Sequence, residues 1–306
     1  MGAGRFAPSP SGPLHIGNLR TAILAWLFAR STGREFLLRI EDLDRARAGA
    51  QEQQLHELEA VGLEFDGPLV VQNDRRAVYH AAVDNLRARH LVYECYCTRK
   101  DIAQAASAPH AAPGAYPGTC RNLSDAQRAE KSRSRPAAIR LRSEVSEFTI
   151  QDELSGEVTA PVDDFVLLRN DGTPAYNLAV VVDDGEYGID QVVRGDDLLS
   201  SAPRQAYLAQ LLGYEIPHYA HVPMALNAQG QRLAKRDGAV TLEDLSEKGI
   251  DPRFVRFGLL ESLSLPGASL EAALAAFDPA RLPREPWIVE PDEFVHQLMP
   301  RASHNG

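Results

Sequence analysis

Between Leu19 and Arg30 almost every position is apolar, and the run is built from strong helix formers, so it predicts a helix buried on all sides. Phe36-Leu37-Leu38-Arg39-Ile40 is shorter and is bounded by Gly33 and an acidic cluster, the signature of a buried parallel strand. Segments 51–61 and 75–90 read as helices, and the alternation predicts a parallel sheet covered by helices. From about residue 93 to 165 the pattern breaks. That stretch holds all three cysteines, an Ala/Pro/Gly-rich connection over 105–118, and β-like runs such as Phe148-Thr149-Ile150. The alternation resumes with Phe165-Val166-Leu167-Leu168, a helix near Ala179, the strand Gln191-Val192-Val193 and a helix over 203–212. Beyond Lys235 the chain reads as mostly helical, and from Pro279 to Pro300 it is studded with proline. No internal repeat is evident.

At 306 residues, with 44% hydrophobic and 24% charged positions, the chain has the composition of a folded globular protein. No stretch approaches the roughly 20 apolar residues of a membrane span, and no secretory leader is apparent, so a cytoplasmic protein is expected. The net charge of −10 argues against a nonspecific nucleic-acid coat. A local basic face remains compatible with a shaped RNA partner. Arg128, Lys131, Arg133, Arg135, Arg140 and Arg142 form such a run, which reads equally well as RNA-facing or as a solvated surface.

Candidate chemistry is densest at the start, in Arg5-Phe6-Ala7-Pro8-Ser9-Pro10-Ser11-Gly12-Pro13-Leu14-His15-Ile16-Gly17-Asn18. The prolines fix a turn, His15 and Gly17 stand where a helix must begin, and free N–H groups with the positive helix end suit a phosphate chain. His15 can donate to a phosphate oxygen, and the small Gly17 lets a flat ring approach. A proline-rich arm leading into a structural helix is the plainer reading.

Later blocks, Arg39-Ile40-Glu41-Asp42-Leu43-Asp44, Tyr176-Asn177-Leu178-Ala179, Val193-Arg194-Gly195-Asp196-Asp197-Leu198-Leu199 and Arg232-Leu233-Ala234-Lys235-Arg236, follow in order. Together the five blocks resemble the class I aminoacyl-tRNA synthetases in their glutamyl form, most closely the short branch that glutamylates queuosine in tRNA(Asp). The resemblance spans about residues 5–240. It implies an α/β fold: a Rossmann-like parallel-sheet core with a zinc-containing insertion and a small helical C-terminal region. The expected division is 1–92 and 166–240 for the halves of the catalytic core, 93–165 for the insertion, and 241–306 for the helical remainder, without an anticodon-binding domain.

The resemblance also implies roles. Arg5, Ala7, Ser9, Glu41, Tyr176 and Arg194 would bind L-glutamate, with Glu41 at the ammonium and two arginines reading carboxylates, which favours glutamate over glutamine. His15, Gly17, Asn18, Arg232 and Lys235 would bind ATP. His15 and Lys235 would be catalytic, Lys235 neutralising the pyrophosphate as the counterpart of a lysine in the Lys-Met-Ser-Lys-Ser loop. Arg232 replaces that loop's first lysine and Ala234 its serine, while Asn18 stands where a histidine is common. Asp42 and Asp44 read better as acids capping the next helix than as ligands.

Cys95, Cys97 and Cys120 lie at a spacing that reads as metal-binding before disulfide, with three buried reduced thiols as the alternative. Chemistry alone nominates His110 as a fourth donor; the resemblance supplies Tyr116 instead, giving one structural Zn²⁺ per chain. Other implied partners are Mg²⁺ carried with ATP and the queuosine-bearing anticodon loop of tRNA(Asp), with glutamate activated before tRNA engages and the enzyme acting as a monomer. Alternatives are a truncated glutamyl-tRNA synthetase charging tRNA(Glu), a non-catalytic glutamate- or nucleotide-binding regulator, and a nucleotidyltransferase acting on a pantetheine.

Overall fold

The computed structural model describes residues 2–44, 46–98, 100–102, 116–233 and 240–302. Lys235, Ala234 and His110 therefore lie outside the described residues.

The first strand, β1 (Ala3–Phe6), is third in the order of a seven-stranded sheet. It pairs in parallel with β2 (Glu35–Ile40) on one side and with β9 (Ile189–Gly195) on the other. β3 (Val70–Val71) extends the sheet beyond β2, and β10 (His218–Val222) extends it beyond β9. The chain leaves the carboxyl ends of β1 and β9 toward opposite halves of the sheet. That divergence opens a crevice where open α/β sheets bind ligands.

Helix α1 (Ile16–Ser31) has buried residues around its whole circumference, as its unbroken apolar run predicts. One side rests on the sheet. The other carries the C-terminal helices: Leu245, Val255, Leu259, Leu260, Leu270 and Phe294 share one core with Ile23, Leu27 and Phe28. Arg20 of α1 reaches the same region, donating to the Pro223 carbonyl and the Ser262 hydroxyl at 3.0 Å each. The residues after the lysine loop are thus packed into the catalytic core. On the other face, α3 (Arg76–Ala88) and the helices 176–186 and 202–212 build a second core around Tyr79, Leu178 and Leu208.

The middle of the chain departs from the expected single insertion over 93–165. β4 (Val92–Cys95), β5 (Ala138–Leu141) and β8 (Val166–Leu168) form a separate antiparallel sheet. Phe165–Leu168 therefore belongs with the cysteine segment and does not resume the main sheet. The hairpin of β6 (Glu147–Asp152) and β7 (Gly156–Pro161) instead joins the main sheet's edge beside β10. A short apolar run specifies a strand but not its partner, so pairing across 70 residues was not legible.

Truncating Leu27, fully buried in α1, to alanine is expected to lower unfolding free energy by about 3 kcal/mol. Urea denaturation checks this: the midpoint falls with an unchanged slope, and a loss below about 0.5 kcal/mol would contradict the packing described.

Candidate active site

The proline-rich turn after β1 is held from below by α2 (Ala50–Ala60). The Gln54 amide donates to the Ser9 and Gly12 carbonyls at 3.0 and 2.7 Å, and the Glu57 carboxylate accepts from the Leu14 N–H at 2.7 Å. His15 then caps α1 in a reciprocal box: its Nδ1 accepts from the Asn18 N–H, and Asn18 Oδ1 accepts from the His15 N–H, both at 3.2 Å. The Ile16 N–H goes to the Val240 carbonyl at 3.0 Å. The expectation of free backbone donors is corrected at four amides of this stretch. The amides of Leu14, His15, Ile16 and Asn18 are all satisfied within the protein, and the helix's positive end remains.

Because Nδ1 accepts, the neutral His15 ring carries its proton on Nε2. Burial lowers the imidazole pKa to about 4, so His15 acts as a neutral hydrogen-bond donor near neutral pH. A Cβ on Gly17 would sit 3.0 Å from both the His15 ring and Ala225 Cβ, so glycine here protects the ring's position. Ala7, Ser9, His15, Gly17, Asn18 and Arg232 all line one cavity of about 650 Å³, with Asp197 and Leu233 at its far side. Arg232 pairs with Asp197 there. On either side of residues 234–239, Arg232 pairs with Leu226 and Thr241 with His15.

A buried charge cluster lies at the carboxyl ends of β1, β2 and β9. Arg5 Nε donates to Asp184 at 3.2 Å and its Nη1 to the Val193 carbonyl at 3.5 Å. Arg39 donates to Asp184 at 2.6 Å and to Glu41 at 3.1 Å, and its Nε lies 3.8 Å from Asp183. Asp183 also accepts from Arg75, Gln72 and Tyr79. Burial pushes Glu41 above the usual carboxylate range against the pull of Arg39 and Arg5. Burial would raise Asp184 too, but Arg39 and Arg5 outweigh it and hold that carboxyl low.

Arg194 differs from its neighbours. Its side chain is buried, Nε donates to His221 Nε2 at 3.0 Å, and Nη1 and Nη2 have no hydrogen-bond partner among the described residues. Tyr176, first residue of the helix 176–186, feels the charges of Glu41, Arg194 and Arg5; burial, then Glu41, raises its phenol pKa. At 38% exposure overall it is not a core tyrosine. Arg5, Glu41, Tyr176 and Arg194 are thus brought together. Asp42 and Asp44 do not cap a helix, since α2 is capped by Gly49. Asp42 accepts from the Asn73 N–H at 2.8 Å, and Asp44 pairs with Arg169.

Sequence reasoning missed Arg39, Asp184, His221 and Asp152. Arg39, Asp184 and His221 are charged or titratable residues inside an apolar strand or helix, and that misfit was the available signal, whereas Asp152 ends a largely polar strand and gave none.

In the smaller sheet, Cys95, Cys97 and Cys120 place their sulfurs within 4.8 Å of one another. Tyr116 Oη lies 3.3 Å from Cys95 Sγ and 3.6 Å from Cys97 Sγ, and Cys97 and Cys120 sulfurs are 3.6 Å apart. Two thiolates on one tetrahedral zinc stand about 3.8 Å apart, so the spacing and chemistry of this donor set fit such an ion. Arg140 lies over the Tyr116 ring, 3.6 Å from its centroid, and its Nη1 donates to the Asp164 carbonyl. In the basic run, Arg140 and Arg142 are committed to internal contacts while Lys131 and Arg133 are exposed. Among the described residues no helix is long and apolar enough to cross a membrane.

The family model for class I tRNA synthetases (E and Q), catalytic domain, matches residues 3–282. The chain is 65% identical over 289 residues to the glutamyl-Q tRNA(Asp) synthetase of Nocardia farcinica, covering 94% of this chain and 93% of that one. It is 50% identical over 306 residues to the protein of the same name from Cutibacterium acnes, covering 98% and 85%. Among solved structures, a glutamate tRNA ligase from Elizabethkingia meningosepticum in complex with its amino acid superimposes with a TM-score of 0.82 at 25% identity. That match covers 97% of this chain and 68% of that one.

The His15 imidazole is expected to titrate near pH 4 in a histidine NMR titration of the free protein. The unfolded ring binds its proton near 6.5 and the folded ring does not until pH 4, so stability falls as pH drops through that window. A folded midpoint near 6.5 would contradict the buried, neutral cap.

Proposed function

The chain belongs to the class I tRNA synthetase family of E and Q catalytic domains, an ATP-dependent ligase family, and from that premise we propose that it activates L-glutamate with ATP before tRNA engages and transfers it to queuosine in the anticodon loop of tRNA(Asp). One observation carries the substrate choice: a buried guanidinium whose two terminal nitrogens face no acceptor among the described residues. A carboxylate side chain supplies two acceptor oxygens in the fork geometry of arginine, whereas an amide would turn a donor toward N–H groups.

In this reading the glutamate side chain lies against Arg194, with Arg5 offering its remaining Nη2, and its ammonium lies near Glu41 and the Tyr176 hydroxyl. ATP occupies the cavity beside Ala7, Ser9, Gly17 and Asn18, bringing Mg²⁺ with it. The glutamate α-carboxylate attacks the α-phosphorus in line and pyrophosphate leaves. The His15 Nε2–H and the positive end of α1 stabilise the developing charge, with the Arg232 and Lys235 cations contributing. A queuosine hydroxyl then attacks the mixed anhydride, forming the ester and releasing AMP. Zn²⁺, held by Cys95, Cys97, Cys120 and Tyr116, would brace the small sheet and take no part in the chemistry. A cytoplasmic setting agrees with three free thiols and a tRNA partner.

Labelled glutamate offered with ATP is expected to charge tRNA(Asp) containing queuosine and to leave queuosine-free tRNA(Asp) and tRNA(Glu) unlabelled. Labelling that ignores queuosine would sink the acceptor assignment.

Elemental analysis of the purified protein is expected to find about one zinc per chain, and Cys120→Ser is expected to lose it with a lower melting temperature. Full retention of zinc by that variant would remove Cys120 from the ligand set.

A further inference from the structure

Arg194 and His221 occupy paired positions on adjacent parallel strands, β9 and β10, and their side chains meet in the interior. The His221 ring is fully buried. Its Nδ1 lies 2.6 Å from Asp152 Oδ2, and its Nε2 accepts from Arg194 Nε at 3.0 Å. Tyr219 stacks on the His221 ring with centroids 5.8 Å apart and planes 20° from parallel. The ring is therefore fixed in its plane and at both nitrogens.

Asp152 is fixed as firmly. Its Oδ1 accepts from the Leu154 and Ser155 N–H groups at 3.0 and 2.9 Å, and its Oδ2 accepts from the His221 N–H at 3.0 Å. A carboxylate holding three backbone donors is pinned as the anion, so the ring proton lies on Nδ1 and the Nε2 lone pair points at arginine. The opposite tautomer would set N–H against N–H. Asp152 ends β6, the first strand of the hairpin added to the edge of the main sheet, so that hairpin delivers the anion to this place.

We infer that Asp152 and His221 form a positioning pair that fixes the Arg194 guanidinium by its Nε, leaving both terminal nitrogens aimed at the substrate and so setting the preference for a carboxylate side chain. This rests on the glutamate-activating function proposed above. With Nε tethered, the fork has one orientation. Released, a long side chain adopts several rotamers and loses the entropic advantage of a preorganised site.

His221→Leu and His221→Gln separate positioning from bulk packing in glutamate-dependent ATP–pyrophosphate exchange. His221→Leu is expected to raise the glutamate KM about tenfold or more, the effect of one hydrogen bond to a charged group, while KM for ATP stays within about twofold. His221→Gln, whose amide oxygen can accept from Arg194 Nε, is expected to recover most of the loss. If His221→Leu fails to fold, Asp152→Asn is read in the same way. A folded variant with unchanged glutamate KM, or glutamate and ATP constants rising together without recovery by glutamine, overturns the inference. Absence of exchange by the unaltered enzyme would instead overturn the underlying function.

Discussion

A guanidinium taken out of water and given no acceptor for two of its three nitrogens is an expensive thing to keep in a folded core. Arg194 is that group, and much of the surrounding architecture is legible as its support. Arg5 and Arg39 are buried nearby, yet each has a carboxylate in contact, Asp184 for both and Glu41 for the second. Among the described residues Arg194 has no carboxylate partner: its Nε donates to the His221 imidazole, and its guanidinium lies 5.8 Å from the Tyr219 ring centroid. Asp152 stands one ring further away and fixes geometry more than it cancels charge. In the function proposed above, the side-chain carboxylate of an amino acid makes up this deficit and its ammonium lies against Glu41, whose carboxyl burial holds above the usual range against the pull of Arg39 and Arg5.

The fold supplies this arrangement through one topological fact. β1 lies between β2 and β9, so Arg5, the Arg39–Glu41 pair and Arg194 emerge from three adjacent strands at one end of the sheet. The cavity of about 650 Å³ opens beside them, where the turn after β1 is pinned by Gln54 and Glu57 and closed by the His15 cap. The cysteine-bearing sheet is coupled to the same place. β8 pairs with β5, and its Leu167 carbonyl accepts from the Ala175 N–H immediately before Tyr176. A metal bracing that sheet would therefore also steady the helix that presents Tyr176.

Motif order made the family readable before any coordinates. Arg5, Glu41, Tyr176 and Arg194 do converge, and α1 and the strand at 35–40 form where their apolar runs place them. What escaped was relational. Arg39 reads as one charge inside Phe36–Ile40, and Asp183 and Asp184 as two acids ending an apolar helix; only the fold reveals that they meet 145 residues apart. His221 between Ala220 and Val222 gave a similar faint sign. Four of the amides expected to be free at the start of α1 are occupied: Glu57 and Val240, distant in sequence, accept from Leu14 and Ile16, and the His15–Asn18 box satisfies its own two. Asp42 and Asp44 were taken for helix caps because capping needs only local sequence, whereas their actual partners, Asn73 and Arg169, are not local.

The central claim is that a substrate carboxylate supplies the acceptors Arg194 lacks. A crystal structure with glutamate and a non-hydrolysable ATP analogue tests it most directly. The account predicts the glutamate side-chain carboxylate in paired contact with Arg194 Nη1 and Nη2, with the His221 tether intact. An electron-density map placing Arg194 turned away, its terminal nitrogens on solvent or on phosphate, would contradict it.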